Sequence, residues 1–326
     1  MESQHLQKLC CSQVLEREAY LDHSTFQLFC AALLQRTKGR LLQQNMLSNI
    51  TLFGYADDIS AAITAVLEAD IQASIDVFLD EMEQYCSAAG LVMNPDKSEV
   101  VMFQQGQPTQ QITAGGQPKS GTVRLLGISV DKDYKFETQV KEIENAMNYR
   151  TAKIAPIAKF LPFRRRKEVL EAIVISKARY GIEIWCKTHK SQVRIQKAMN
   201  NALRVLFQTD TDSAESMLQR ARWLNAANLT RQCQCATLKR IMDTRNSPET
   251  FGYILRGFQH RYGTRFNDVV ADYQPKSSIW SSSFLAQSIA SYNALRLNGR
   301  LFEDYEDWKT TVHVELKMKY GNTNLY

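Results

Sequence analysis

The stretch of residues 51–60 constrains the fold most, because two apolar arms enclose a pair of adjacent carboxylates. The first arm breaks at Gly54, the carboxylates are Asp57 and Asp58, and the second arm follows at once. Two short apolar runs separated by a tight polar tip predict a β-hairpin. Neighbouring strand residues point to opposite faces, so two adjacent acids share a face only at a turn. The stretch therefore predicts a hairpin with both carboxylates at its tip.

The carboxylate pair supports two interpretations. Aspartate is common in turns because its side chain bonds to the local backbone, so the pair is either a solvated turn or a site. Paired carboxylates are hard oxygen ligands that suit Mg²⁺, which takes the rest of its shell from water and substrate phosphates. The remainder of the chain has to separate these interpretations.

Composition bounds the class of protein. A chain of 326 residues, 44% apolar and 23% charged, is long enough for two or three globular domains. The net charge of +6 permits nucleic-acid binding without requiring it. Seven cysteines without metal-ligand spacing predict reduced thiols in an intracellular protein, nuclear or cytoplasmic. No signal-peptide core or membrane-length apolar run is present, so no membrane association is expected.

Periodicity predicts an α+β layer around the hairpin. Residues 68–89 are apolar at every third or fourth position, which indicates an amphipathic helix, and Gly90 suits the position just past its end. Apolar runs at 91–94 and 99–103 predict two strands separated by a turn that contains Lys97. The order hairpin, helix, strand, strand predicts a helix packed on a sheet. Residues 1–20, by contrast, predict a helix.

Two motifs of this region resemble one protein family. The block Gly90-Leu-Val-Met-Asn-Pro-Asp-Lys-Ser-Glu99 resembles the Gly-Leu-x-x-Asn-x-x-Lys-Thr-Glu block of non-LTR (LINE-type) retrotransposon reverse transcriptases, with Ser in place of the common Thr. Tyr55-Ala-Asp-Asp58 resembles their aromatic-Ala-Asp-Asp metal hairpin.

The resemblance implies part of a right-hand polymerase palm and an RNA-directed DNA polymerase activity on an RNA template and a DNA primer. It implies that Asp57 and Asp58 are catalytic and bind Mg²⁺, if the chain is active. It also implies that Lys97 protonates or stabilises the leaving group. A surface lysine is the alternative for Lys97.

Residues 123–131 alternate around Gly127 and resemble the Leu-Gly-containing hairpin with which the family grips the primer end. Leu126 and Gly127 are therefore candidates for primer binding. A glycine within a strand pattern marks either the close approach of another backbone or a simple bulge, and the pattern does not separate the two.

The densest basic cluster consists of Arg164, Arg165, Arg166 and Lys167. Four consecutive cations are not expected to be all paired locally, so they face either solvent or phosphate. Contact with a nucleic-acid backbone is the second of these possibilities, because cations gain affinity by releasing condensed counterions. Helical patterns follow, and the block Tyr180-Gly-x-x-x-Trp185 with residues 196–204 resembles the thumb region of the same elements.

These features divide the chain into an N-terminal helical segment (1–49), a partial palm (50–133), a thumb-like helical region (134–208) and a C-terminal helical extension (209–326).

The family uses a third, upstream carboxylate, and Asp22, Glu16 and Glu18 do not match its expected position. The fingers also have no room ahead of Asp57. We therefore expect either an incomplete polymerase, with a partner chain supplying the missing palm and fingers, or a non-catalytic nucleic-acid-binding or scaffold protein derived from a truncated retroelement.

Overall fold

The structure is a computed structural model that describes residues 8–16, 23–43, 49–55, 58–93, 98–103, 113–114, 117–118, 121–243, 283–295 and 305–321. The chain forms two compact units, Met1–Gln139 and Val140–Tyr326. Antiparallel sheets and two helices make up the described part of the first unit, and helices make up that of the second. The predicted α+β class is confirmed.

The first unit is built on a five-stranded antiparallel sheet. Its strands and helices alternate along the chain as β1 (Lys8–Glu16), α1 (His23–Gln43), β2 (Asn49–Tyr55), β3 (Asp58–Thr64), α2 (Glu68–Ala88), β4 (Val92–Met93) and β5 (Glu99–Phe103). Strand β1 lies in the middle, with β3 and then β2 on one side and both β4 and β5 on the other. This is the β-α-β-β-α-β order of the split βαβ arrangement.

The central position of β1 corrects the prediction for the N-terminal segment. We expected a helix over residues 1–20, but Lys8–Glu16 is a strand that pairs with β3 from Leu9 to Val14 and with β5 from Lys8 to Ser12. Its sequence contains a single β-branched residue and no strict alternation. Pairing along both edges with distant strands therefore decides its conformation, which is how tertiary context overrides local propensity.

One apolar core joins the sheet to both helices. The hairpin contributes Ile50, Ile59, Ala61 and Ile63, all of them buried, and α2 packs against the same core. The buried residues of the helices are Phe29, Leu33, Leu41, Ile71, Ile75, Val77, Phe78, Met82 and Cys86. The predicted helix at 68–89, packed on the sheet, is confirmed.

The chain turns back into the sheet after α2 through Gly90, whose φ of +69° is the left-handed conformation that favours glycine at a helix end. The predicted strands at 91–94 and 99–103 appear as β4 and β5. Both are antiparallel to β1, so they run in the same direction along one edge of that strand. Four shorter strands follow in two hairpins: β6 (Thr113–Ala114) with β7 (Gln117–Pro118), and β8 (Thr122–Leu125) with β9 (Ile128–Asp131).

Helices are the only regular secondary structure of the second unit in the residues that the structure describes. After α3 (Glu137–Ala158), which begins in the first unit, it contains α4 (Phe163–Leu170), a π-helical turn (Glu171–Ile175), α5 (Ser176–Arg179), α6 (Ile182–Trp185), α7 (His189–Phe207), α8 (Ala214–Ala221), α9 (Ala226–Asp243), α10 (Phe284–Leu295) and α11 (Tyr305–Tyr320). Thr188 and Ser191 form a capping box that fixes the start of α7. The core includes the fully buried side chains of Trp185, Ile195, Leu203, Met217, Leu238, Trp308 and Leu316.

Helix α3 runs through Pro156 and ends two residues later, at Ala158. A proline inside a helix removes a backbone hydrogen bond, which is consistent with an end this close to it. None of the described helices is both long and apolar enough to cross a membrane.

Candidate functional site

The predicted hairpin forms, but Asp58 is the first residue of its second strand, where it pairs with Tyr55, and is not a residue of the tip. Strands β2 and β3 pair from Asn49↔Thr64 to Tyr55↔Asp58, which leaves two residues at the tip. A two-residue connection is the tightest common hairpin loop. Asp57 belongs to this tip and lies outside the described residues. Asp58 is half-buried and opens β3.

Asp58 also lies beside the central strand. Its Cα pairs with that of Val14 in the register of β3 and β1. Strand β1 continues for two more residues, Leu15 and Glu16, which pair with β4 on the other side. The start of β3, the C-terminal end of β1 and the strand that precedes Lys97 therefore belong to one sheet. Lys97 itself lies outside the described residues.

The predicted Mg²⁺ site consists of Asp57 and Asp58. Within the described ranges, no three His, Cys, Asp or Glu side chains come together as a group that could hold a metal ion. Asp58 is consequently the one predicted metal ligand whose place is described. Mg²⁺ binding by Asp57 and Asp58 stays a prediction.

An aromatic surface lies next to the tip and was not predicted from the sequence. Phe53 and Tyr55 occupy alternate positions of β2, so they share one face of the strand. Their exposed fractions are 59% and 64%, which is high for large apolar side chains. The period-2 spacing of the two rings is a signal that the sequence alone could have supplied. Exposed rings of this kind present flat surfaces on which nucleobases stack.

The second predicted hairpin is also present, and Gly127 lies in its turn. Strands β8 and β9 pair up to Leu125↔Ile128, so Leu126 and Gly127 are the two turn residues. Their φ angles are +46° and +78°, the signature of a type I′ turn. Gly127 therefore lies at the hairpin tip and not within a strand, so neither interpretation of a strand glycine applies to it. Leu126 is 43% exposed there, and its contact with a primer stays a prediction.

Two of the four clustered cations lie on the surface of α4. The guanidinium groups of Arg165 and Arg164 donate to Glu168 over 2.8 and 3.2 Å. These hydrogen bonds, that of Arg165 first, hold the pKa of the Glu168 carboxyl below its usual range. The side chains of Arg164 and Arg165 are 90% and 72% exposed, so water or phosphate competes easily for both.

The other two cations are also paired, which corrects the expectation that the four cannot all be paired locally. Arg166 is buried and donates to the carbonyl oxygens of Leu206 and Leu161 over 2.6 and 3.0 Å. Lys167 Nζ lies 3.6 Å from the carboxylate of Glu171, one helical turn away. A helix rotates each residue by about 100°, so one of several consecutive side chains must point toward the core. Arg166 is therefore a structural residue rather than a candidate for phosphate binding.

Charge is divided unequally between the two units. Met1–Gln139 contains 10 Lys and Arg against 17 Asp and Glu, a net charge of −7. Val140–Tyr326 contains 30 Lys and Arg against 17 Asp and Glu, a net charge of +13. The modest total of +6 hides this asymmetry. A positive field of that size attracts polyanions, nucleic acids above all.

Comparison of the chain with protein-family models, with curated proteins and with solved structures gives no match in any of the three.

Proposed function

We propose that this chain is a reverse transcriptase-like protein of retrotransposon origin, an RNA-directed DNA polymerase by descent that binds an RNA template and a DNA primer. The observation that carries the proposal is the place of Asp58, which opens β3 at a two-residue hairpin tip and pairs with the central strand β1. In this proposal the sheet of the first unit is a polymerase palm and the helices from α3 onward form a thumb and a C-terminal extension.

The chemistry follows from the residue types at this end of the sheet. Asp57 and Asp58 would hold Mg²⁺, which neutralises the charge that develops on the attacking and leaving oxygens of an in-line phosphoryl displacement. Lys97 follows the strand that pairs with the end of β1, and as an ammonium it can donate a proton to the departing pyrophosphate. Leu126 and Gly127 would contact the primer end.

The register of β1 offers a third acid. Glu16 ends this strand two positions beyond Val14, which pairs with Asp58. The sequence alone did not favour Glu16, because the acids ahead of the hairpin did not match the expected position of the upstream carboxylate, yet α1 fits between Glu16 and the hairpin. Its strand ends beside β3, which begins with Asp58, and this position supports Glu16 as a candidate for the upstream carboxylate of a polymerase palm. We include Glu16 in the proposed site for that reason.

Primer extension on an RNA template with Mg²⁺ tests the proposal. If the chain adds nucleotides, alone or completed by a partner that supplies the missing palm and fingers, we expect Asp57→Asn, Asp58→Asn and Glu16→Gln each to lower the rate about a hundredfold or more, since each removes a proposed metal ligand. Asp76→Asn, on the exposed surface of α2, is the matched control and should keep the rate. Extension that survives both aspartate changes would remove the metal site from the proposal.

A non-catalytic nucleic-acid-binding protein is the second candidate. The net charge of +13 on Val140–Tyr326 favours it independently of the hairpin. Strand binding without any nucleotide incorporation by the unmodified chain would select this candidate. Incorporation that appears only when a chain with fingers and an upstream palm is added would instead support a polymerase completed by a partner.

A further inference from the structure

The segment of residues 145–167 combines two properties that are rarely found together. It contains seven Lys and Arg and no Asp or Glu. It also exposes large apolar side chains: Phe160 is 77% exposed, Tyr149 65% and Ile157 60%. Scattered apolar residues on a surface are ordinary, but a set that shares one side of one helix indicates a surface that binds something.

The exposed residues form a continuous stripe. Tyr149, Lys153 and Ile157 follow one another at intervals of four along α3, so their side chains are stacked on the same side of the helix. Phe160 lies in the turn directly after α3, held there by a hydrogen bond of 3.0 Å from its backbone N–H to the carbonyl of Ile157. We call Tyr149, Lys153, Ile157, Lys159 and Phe160 the α3 stripe.

Each aromatic ring of the α3 stripe has a cation beside it. Lys153 Nζ lies 5.5 Å from the centroid of the Tyr149 ring, and Lys159 Nζ lies 4.9 Å from that of Phe160. Both lysines are exposed. The arrangement repeats an exposed aromatic ring with an ammonium group over it, and a nucleotide contacts groups of these two kinds through its base and its phosphate.

We propose that the α3 stripe binds single-stranded nucleic acid, with bases stacked on Tyr149 and Phe160 and phosphates next to Lys153 and Lys159. Charge complementarity selects this occupant over a protein surface, since no acid lies between Glu144 and Glu168 and the whole unit is strongly basic. The exposed pair Arg164 and Arg165 extends the positive surface beyond Phe160. The inference rests on the proposed nucleic-acid function but not on the polymerase site.

Replacement of the rings by leucine separates stacking from simple apolar contact. Leucine keeps an apolar side chain and a good helix former, but it removes the π-face. We expect the pair Tyr149→Leu with Phe160→Leu to weaken binding of a fluorescent 12-nucleotide oligouridine about a hundredfold, tenfold for each ring. The pair Tyr149→Phe with Phe160→Tyr keeps both rings and should stay within about threefold of the unmodified chain. Tyr180→Leu, 51% exposed outside the stripe, is the control for loss of a surface aromatic and should leave the affinity unchanged.

Three further probes make the result specific. An abasic strand of the same length keeps the phosphates and lacks the bases, so it should bind the unmodified chain and the leucine pair equally weakly. A duplex, in which the bases are already stacked, should be insensitive to the leucine pair. Oligouridine and oligothymidine compared side by side show whether the strand is RNA or DNA.

Lys153→Gln and Lys159→Gln should each reduce the slope of log affinity against log salt by about 0.7, the value for one phosphate contact on a single strand.

The proposal is overturned if the leucine pair binds oligouridine as tightly as the unmodified chain does, or if the abasic strand binds as tightly as the normal one. It is equally overturned if the unmodified chain binds no single strand. Circular dichroism of each variant confirms that the helices are intact. Because nucleotide incorporation plays no part in these measurements, failure of the polymerase proposal and failure of the α3 stripe are distinguishable.

Discussion

Arg166 Nη1 donates a hydrogen bond of 2.6 Å to the carbonyl oxygen of Leu206 and thereby ties α4 to the last turn of α7. Its Nη2 donates to the carbonyl of Leu161, where the chain enters α4. One buried guanidinium thus satisfies two backbone acceptors that lie 45 positions apart in the sequence. The same side chain has a buried Nε without a partner. Replacement of Arg166 is therefore expected to destabilise the protein, because two backbone carbonyl oxygens would lose their donor.

Arg166→Met should lower the free energy of unfolding by about 2–4 kcal/mol, because it leaves two buried carbonyl acceptors without a charged donor. Arg164→Met, at a side chain that is 90% exposed, should change it by less than about 0.5 kcal/mol. Urea denaturation followed by circular dichroism measures both. Equal stability of the two variants would show that the buried contacts of Arg166 contribute nothing.

The difference between these neighbours shows how far a sequence can predict a site. Local signals predicted the hairpin around Asp58 and the helix α2, because alternation and 3.6-residue periodicity are properties of a short stretch. The run of four cations carries no mark that distinguishes Arg166, since the direction of a side chain depends on how its helix is placed against α7. That placement is decided by contacts with residues about 40 positions away.

Strand β1 could not be predicted for a related reason. Its partners are β3, about 50 residues later, and β5, about 90 residues later, and pairing along both edges imposes the extended conformation. A nine-residue stretch of mixed polarity does not show whether its strand lies at the edge or in the centre of a sheet. As a result, no local signal in the sequence indicates that Glu16 lies close to Asp58. The pairing of β1 with β3, in which Val14 is opposite Asp58, shows that the two strands are neighbours.

Arg164 and Arg165 should contribute to nucleic-acid affinity without contributing to stability. Their bonds to Glu168 are solvent-exposed, so exchange of that carboxylate for a phosphate costs little. Changing Arg164, Arg165 and Lys167 to alanine should weaken the salt dependence of RNA binding. The slope of log affinity against log salt should decrease by about one for each phosphate contact that is lost. Affinity measured between 50 and 200 mM salt, roughly the range over which phosphate contacts are resolved, gives the slope. An unchanged slope would remove this cluster from the interface.

Glu81 should be far more important for stability than its neighbour Asp80. The Glu81 side chain is 5% exposed and accepts hydrogen bonds of 2.9 Å from both Arg36 and Arg40, which join α1 to α2. We expect Glu81→Ala to lower the free energy of unfolding by about 2–3 kcal/mol, because two charge-assisted bonds are removed.

The control for that prediction is Asp80→Ala. Asp80 also pairs with Arg40, but its side chain is 48% exposed, so its removal should cost much less stability than the removal of Glu81. Thermal or urea unfolding of the two variants provides the comparison. A similar decrease in both would mean that burial of the Glu81 carboxylate adds nothing to the pair.

The turn between β8 and β9 contains a leucine where a type I′ turn favours asparagine. Leu126 has a φ of +46°, a conformation that costs an ordinary side chain about 1 kcal/mol and asparagine less. Leu126→Asn should therefore raise the free energy of unfolding by about 0.5–1 kcal/mol. Leu125→Asn, at the preceding strand position, should not stabilise the protein. If Leu126→Asn also weakens primer binding, the leucine is retained for that contact at the expense of stability.

His313 should make the stability of the chain sensitive to mild acid. Burial, followed by the nearby charges of Lys317 and Arg179, lowers the pKa of His313 from 6.5 to about 4. Between these two pKa values His313 binds a proton in the unfolded chain but not in the folded chain. The free energy of unfolding therefore falls as the pH falls. The side chain is only half-buried, and solvent screening limits the decrease to about 1–2 kcal/mol.

Replacement by a neutral side chain isolates this contribution from that of the carboxylates. We expect His313→Gln to lose less stability than the unmodified chain when the pH is lowered through this window, whereas His189→Gln, at an exposed position, should behave like the unmodified chain. Urea unfolding at neutral pH and near pH 5, roughly midway through the window, measures the difference. Identical pH dependence of His313→Gln and the unmodified chain would show that His313 titrates alike in the folded and unfolded states.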